Sequence, residues 1–192
     1  MGKSKAEKAD LKAAEAAARW QRHPLVRVAG WASELADQPP LLTLCAATVA
    51  AGLVRRDRHL AATGARMLAA AGLAIVIKDR AKRATDRTRP HVVVVEGQDY
   101  EMREGRGTGD GALGSFPSGH TAGALAVARA VARGYPAWAA PAHGAAALVA
   151  AVQIPRCAHY PTDIGAGALI GWLAEAAVTG AERLVRGGRG SR

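Results

Sequence analysis

A chain of 192 residues has room for one domain and not for two of ordinary size. Hydrophobic residues make up 49% of it, drawn mainly from Ala, Leu and Val with only 4% aromatics, and the formal charge is +10. A chain this basic faces nucleic acid, anionic lipid or a phosphorylated molecule. RNP-type, zinc-finger and basic-zipper patterns are missing and aromatics for base stacking are scarce, which sets nucleic acid aside.

In chain order, Met1–Arg22 is rich in Lys and Ala with interspersed acids, and lacks the unbroken apolar stretch of a cleaved signal. It predicts a basic amphipathic helix on a membrane surface, with a solvated helix as the plain alternative. Residues 1–38 are accordingly set apart from a helical-bundle domain at 39–182. The basic tail at 183–192, rich in Gly and Arg, is expected to be disordered.

Between these ends lie five apolar segments. Pro39–Val54 carries no formal charge, His59–Ile77 only Arg66, and His120–Arg133 only Arg129 and Arg133 near its end. Gly134–Pro155 has no formal charge apart from the titratable His143, and Ile164–Ala181 surrounds Glu175. A bilayer-spanning helix needs about 20 apolar residues, a length only Gly134–Pro155 meets cleanly. Five such runs nonetheless leave little polar helix to cover them. The expected fold is all-α: a membrane-embedded bundle of about five apolar helices plus the basic N-terminal one. Gly165, Gly167 and Gly171 suit close helix contact. The connection His91–Phe116 opens with a strand-like run, Val92–Val95, then becomes a Gly-rich loop or lid. Cys45 and Cys157 stand far apart and have no metal-ligand spacing, so packing is their ordinary role.

Three stretches carry chemistry. Lys82–Pro90 holds four cations, a point-charge Lys and planar Arg forks of the kind that bind phosphate, although a juxtamembrane basic cluster has the same composition. Ser115–Ala122 places Pro117, Ser118, Gly119 and His120 at a helix start, where backbone N–H groups cradle anions. There Ser118 adds a hydroxyl, Gly119 allows close approach and His120 can donate a proton. Gln153–Asp163 contains His159 four residues before Asp163, with Pro161 at the first turn of the last helix. A carboxylate on one ring nitrogen would leave the other free to attack. Alone, each stretch has a structural explanation. Together, spans of alternating direction bring all three to one face, as a phosphate site built at helix ends.

In these residues the chain resembles the type 2 phosphatidic acid phosphatase superfamily, which includes class A acid phosphatases and vanadium haloperoxidases. Lys82 followed by Arg89-Pro90 matches the first motif, Pro117-Ser118-Gly119-His120 the second, and His159 with Asp163 the end of the third. The resemblance covers Ile77–Trp172. It implies that His159 attacks phosphorus, Asp163 orients it and His120 protonates the leaving oxygen. It further implies that Lys82, Arg89, Ser118 and the Gly119 amide hold the phosphate oxygens, with no metal or other cofactor. The family's Ser-Arg pair falls on Val152 and Gln153, so its arginine is missing. Either Arg156 supplies the guanidinium from a shifted position or Gln153 offers a neutral donor. Loss of one such donor costs about 2–4 kcal/mol in the transition state.

The implied partners are a membrane and a phosphorylated lipid or polyprenyl substrate. Phosphatidate, phosphatidylglycerol phosphate, polyprenyl pyrophosphate and a polyprenyl-linked sugar phosphate all fit. A catalytically impaired lipid-binding protein, a soluble acid phosphatase and a haloperoxidase are the competing readings. The Ala- and Arg-rich composition suggests a bacterium, hence the inner membrane. Arg55, Arg56, Arg58 and the C-terminal arginines lie opposite the site, so the positive-inside rule turns the site away from the cytoplasm. The basic N-terminus weighs the other way.

Overall fold

The structure is a computed structural model and describes residues 3–107 and 109–190. Helix α1 (Lys5–Ala18) starts at a capping box: the Ser4 hydroxyl accepts from the Glu7 N–H and the Glu7 carboxylate from the Ser4 N–H. Helix α2 (Pro24–Ser33) opens on a proline and passes through a 3-10 turn, Glu34–Ala36, into α3 (Gln38–Val54). Asp57 caps α4 (Arg58–Ala84), its carboxylate accepting from the N–H groups of His59 and Leu60 at 3.0 and 2.9 Å. After α4 come strand β1 (Thr85–Arg87), the short helix α5 (Pro90–Val94) and strand β2 (Met102–Glu104). Helices α6 (Gly119–Gly134), α7 (Ala139–Val152) and α8 (Pro161–Gly190) complete the chain. The five apolar segments fall on α3, α4, α6, α7 and α8.

Helix α4 packs against α3, α6 and α8, and α7 lies against α6 on the far side. The interior is made of small residues, among them Ala70, Ala71, Ala74, Ala122, Ala126 and Ala174. Large apolar side chains such as Leu44, Leu53, Leu148, Leu169 and Leu173 point outward instead. This inverted arrangement suits helices whose surroundings are as apolar as their core. A Cβ on Gly167 would stand 2.4 Å from the Ser118 carbonyl, and one on Gly171 the same distance from that of Ala122. Those two glycines bring α8 onto α6. Gly165, expected to share the contact, has open space beside it because it lies on another face of the helix.

Charges inside the apolar segments are paired between helices, as low-dielectric surroundings demand. Glu175 on α8 is fully buried and meets Arg133 at 2.5 Å and Arg129 at 3.1 Å, both on α6. Arg66 on α4 reaches Glu182 on α8 at 2.8 Å. Arg58–Ala84 and Pro161–Val185 are long and apolar enough to cross a membrane, while Gln38–Val54 and Pro136–Val152 are apolar but shorter.

Several local expectations are corrected. Gly134–Pro155 is not one clean span, since a 3-10 turn at Pro136–Trp138 precedes the 14-residue α7. Val92–Val95 is not a strand: Pro90 fits the first turn of a helix, and α5 forms there with Val92 buried. The strands are instead β1 and β2, an antiparallel ribbon pairing Thr85 with Glu104 and Arg87 with Met102, so the fold is not purely helical. Helix α8 continues through 183–190, where disorder was expected, with Leu184 and Val185 extending its apolar pattern. Ser191 and Arg192 lie outside the described residues. Helix α1 is exposed along most of its length, but Asp10 and Ala14 are buried where it docks over α5 and the start of α8.

Candidate active site

The turn after α7 is held by the Gln153 carbonyl, which accepts from the N–H groups of Ala158 and His159. Within it Cys157 takes a left-handed φ of 55°, a conformation costing about 1–2 kcal/mol outside glycine. Its carbonyl accepts from the His91 N–H at 2.9 Å, which ties the turn to α5. His159 emerges from this turn only 3% exposed. Its Nδ1–H donates to the Ser115 carbonyl at 2.7 Å. A carbonyl can only accept, so this contact fixes the tautomer and leaves Nε2 with its lone pair. Burial, together with the charges of Arg89 and Lys82, holds the imidazole well below its ordinary pKa, so it is neutral at physiological pH.

Asp163 was expected on the ring of His159, but its Oδ2 lies 3.9 Å from Nδ1, beyond a hydrogen bond. Its oxygens are engaged elsewhere because stronger donors surround them. Oδ2 accepts from the Ser115 hydroxyl at 2.6 Å and the Tyr160 N–H at 2.8 Å, while Oδ1 pairs with Arg87 Nη1 at 2.5 Å. Asp163 therefore fixes Ser115, and the Ser115 carbonyl fixes His159.

The cations converge from the other side. Lys82 Nζ donates to the Gly114 carbonyl at 2.5 Å, and Arg89 donates to the carbonyls of Gly111 and Gly114 at 2.7 and 3.3 Å. Both line a cavity of about 420 Å³ shared with Arg83, Asp86 and the glycines of the 107–114 loop. Ser118 caps α6, its oxygen accepting from the N–H and the hydroxyl of Thr121, which leaves its own proton to donate. Gly119 opens α6, and a Cβ there would stand 3.0 Å from the stem of Lys78. His120 Nε2 is buried without a hydrogen bond, 3.6 Å from the Glu34 carboxylate. Arg156 donates to that same carboxylate at 2.5 Å and to the Ser33 hydroxyl at 2.8 Å. Gln153, where the motif has arginine, is fully buried and its amide also donates to Ser33, at 3.2 Å. The Arg156 guanidinium thus ends beside the Gln153 side chain, within electrostatic range of Arg89.

The family model described as the PAP2 superfamily matches residues 63–183, a stretch that contains all three motifs. The chain belongs to the PAP2 superfamily. It is a phosphoric ester hydrolase of the type 2 phosphatidic acid phosphatase kind. Among solved structures, the first transmembrane PAP2 type phosphatidylglycerolphosphate phosphatase from Bacillus subtilis shares the fold, with TM-score 0.65 and 21% identity over 93% of this chain and 86% of that one. LpxE of Aquifex aeolicus gives TM-score 0.65 and 22% identity over 89% of this chain and 94% of that one. No curated protein sequence matches.

Beyond its motif residues, this PAP2 site contains groups that sequence reasoning missed. Arg87 is 1% exposed and donates to Asp163, Asp10, Thr162 and the Tyr100 hydroxyl, with its guanidinium 4.3 Å above the Tyr160 ring. It lay in view among the cations of Lys82–Pro90, but composition gives no sign that one of them turns inward. Asp10 and Glu34 come from residues before the matched segment, and nothing in their local sequence separates them from other surface acids. Ser115 stands two residues before the second motif, and its role depends on tertiary contact alone.

Proposed function

We propose that the chain is a membrane-embedded, metal-independent phosphatase acting on the phosphate or diphosphate of a lipid-linked substrate through phosphohistidine. The observation that carries the reading is the fixed tautomer of His159, which presents an unprotonated Nε2 at a site ringed by Lys82 and Arg89. In the proposed reaction the Nε2 lone pair forms the N–P bond as the bond from phosphorus to the leaving oxygen breaks. Lys82, Arg89, Ser118 and the Gly119 amide hold the other phosphate oxygens. His120 gives its proton to the leaving oxygen; burial lowers its pKa, and the Glu34 carboxylate at 3.6 Å offsets part of that by favouring the protonated form. Water, giving a proton to His120, then attacks phosphorus as the N–P bond breaks and its electron pair returns to Nε2 of His159, and inorganic phosphate leaves.

This proton transfer places the leaving group on the His120 side. An apolar groove of about 440 Å³ opens there between α2, α3, α6 and α7, and its lining includes Ser33, Leu35 and Ala36 on either side of Glu34. A leaving group with an apolar tail suits that groove, which is why a lipid substrate is favoured over a soluble phosphomonoester. The outward-facing Leu and Trp side chains of the bundle favour a membrane around it. The test is phosphate release in EDTA from micelles containing phosphatidate, phosphatidylglycerol phosphate or a polyprenyl pyrophosphate, against a soluble aryl phosphate. Faster, chelator-resistant release from a lipid is expected. No release from any lipid by well-folded protein overturns the reading and leaves a binding role.

Arg156 is proposed as the replacement for the missing motif arginine, with substrate phosphate taking the place of Glu34 on its guanidinium. Arg156→Gln is expected to lower kcat/KM by about 30- to 1,000-fold, the scale of one lost charged donor. Arg156→Lys should recover only part of this, because a point charge lacks the bidentate fork. An unchanged kcat/KM in the Gln variant would assign Arg156 to structure alone.

The site is proposed to face away from the cytoplasm, with Arg55, Arg56 and Arg58 at the opposite ends of the helices. A cysteine placed at the exposed Glu104 should react with a membrane-impermeant maleimide in intact cells. Reaction only after permeabilisation would reverse the orientation.

A further inference from the structure

The structure assigns the N-terminal helix α1 to the active site: we infer that Asp10 is a positioning residue for His159, acting through Arg87 and Asp163. The inference rests on the phosphohistidine reading above.

Helix α1 lies outside residues 63–183, so the family match accounts for none of it. On this exposed, Lys-rich helix Asp10 is 2% exposed. One of its oxygens accepts from Arg87 Nη2 at 2.7 Å and from the Thr162 hydroxyl, and the other accepts from the Thr162 N–H at 3.2 Å. Thr162 directly precedes Asp163, so Asp10 grips both the first turn of α8 and the cation that binds Asp163. Glu7, one turn earlier, accepts from the Tyr100 hydroxyl at 3.1 Å, and that hydroxyl accepts from Arg87 Nε at 3.2 Å. Two acids of α1 thus close around one buried arginine.

The geometry gives this cluster a direct path to the nucleophile. Arg87 is shared between Asp10 and Asp163, Asp163 holds the Ser115 hydroxyl, and the Ser115 carbonyl holds Nδ1–H of His159. Without Asp10, one side of the Arg87 fork loses its partner and the guanidinium can turn away from the line that serves Asp163. The Asp10 charge has a second consequence. Asp10 and Asp163 together outweigh Arg87 by one negative charge, which offsets Lys82, Arg89 and His120 around His159. That offset favours the positive charge the imidazole develops as its N–P bond forms.

The test uses the full-length protein in detergent with EDTA and micelles of whichever of phosphatidate, phosphatidylglycerol phosphate and a polyprenyl pyrophosphate the parent hydrolyses fastest, comparing the parent, His159→Ala, Asp10→Asn and Asp10→Glu. Asp10→Asn keeps the shape and loses the charge. Its kcat is expected to fall about 10- to 100-fold, the scale of a misplaced reacting group, with KM within about twofold of the parent. The acid limb of its kcat/KM profile should move to lower pH, since removing a negative charge makes His159 harder to protonate. Lys82, Arg89, His120 and Asp163, the other charged groups facing that ring, are unchanged. Asp10→Glu should recover part of kcat and return the limb towards its parental position. A parent whose activity vanishes in His159→Ala while Asp10→Asn matches it in kcat overturns the inference and leaves the phosphatase reading standing. So does a loss in Asp10→Asn that follows only the fraction of folded protein, with the acid limb unmoved. A parent inactive on every lipid phosphate in the set, or active after His159→Ala, fails the underlying reading instead.

Discussion

Replacing His159 with Gln is expected to abolish turnover, lowering kcat by at least about 10³- to 10⁴-fold, the loss seen when a catalytic unit of nucleophile and orienting groups is broken. Gln preserves a donor for the Ser115 carbonyl but has no nitrogen lone pair to attack phosphorus. Substrate should still bind, because Lys82 and Arg89 lie on separate elements and keep their own contacts. A quenched single turnover with radiolabelled lipid phosphate separates the steps: the parent accumulates label on protein in an acid-labile, alkali-stable bond, and the variant does not. Label on the variant protein would make another residue the nucleophile. The pH dependence follows from the same geometry. Burial holds the folded-state pKa of His159 well below the ordinary value of about 6.5. The acid limb set by this residue should therefore lie below that value, and the nucleophile stays available in mildly acidic medium. For stability the sign is unfavourable in acid: the unfolded chain binds this proton first, so stability falls as pH drops below about 6.5 towards the folded pKa.

The motifs that build the candidate site were legible because they are short-range. Pro117–His120 specifies a cap and a helix start within four residues, and Ser118 and Gly119 sit there as that pattern requires. His159 could be singled out for a similar reason, since the turn before α8 is written locally in Pro155 and Pro161. What the sequence could not carry is the choice among equivalent partners. Asp163 had a histidine four residues away and an arginine 76 residues away, and the tertiary fold chose Arg87. Arg156 and Gln153 were rivals for one role, yet both end on the Ser33 hydroxyl, on a helix that the motif spacing never touches. The strand expected at Val92–Val95 followed propensity, which Pro90 and the burial of Val92 overrode. The helices were easier to foresee than their lengths. Absence of charge marked Gly134–Pro155 as a span, but charge says nothing about the 3-10 turn that Pro136 opens within it.

Arg87→Met should produce the largest loss of stability of any single change near the site. Met fills much of the same volume, so the effect isolates charge and hydrogen bonding rather than a cavity. Arg87 and its two carboxylates are all at most 3% exposed at the side chain, so water cannot take over the role of the guanidinium. Removing one partner of a buried pair costs about 3–5 kcal/mol, because the other charge is left uncompensated; here two carboxylates are stranded. Thermal unfolding in detergent should show this as a lower midpoint at neutral pH. The decisive comparison is with the double variant. In the parent, Asp10→Asn removes an attractive partner and destabilises. In the Arg87→Met background the same change removes a stranded charge, so it should stabilise and raise the midpoint part of the way back. That reversal of sign is a coupling between contacting residues, which independent sites do not show. If Asp10→Asn lowers the midpoint equally in both backgrounds, the Arg87–Asp10 contact carries no net energy, and α1 is held over the site by its other contacts.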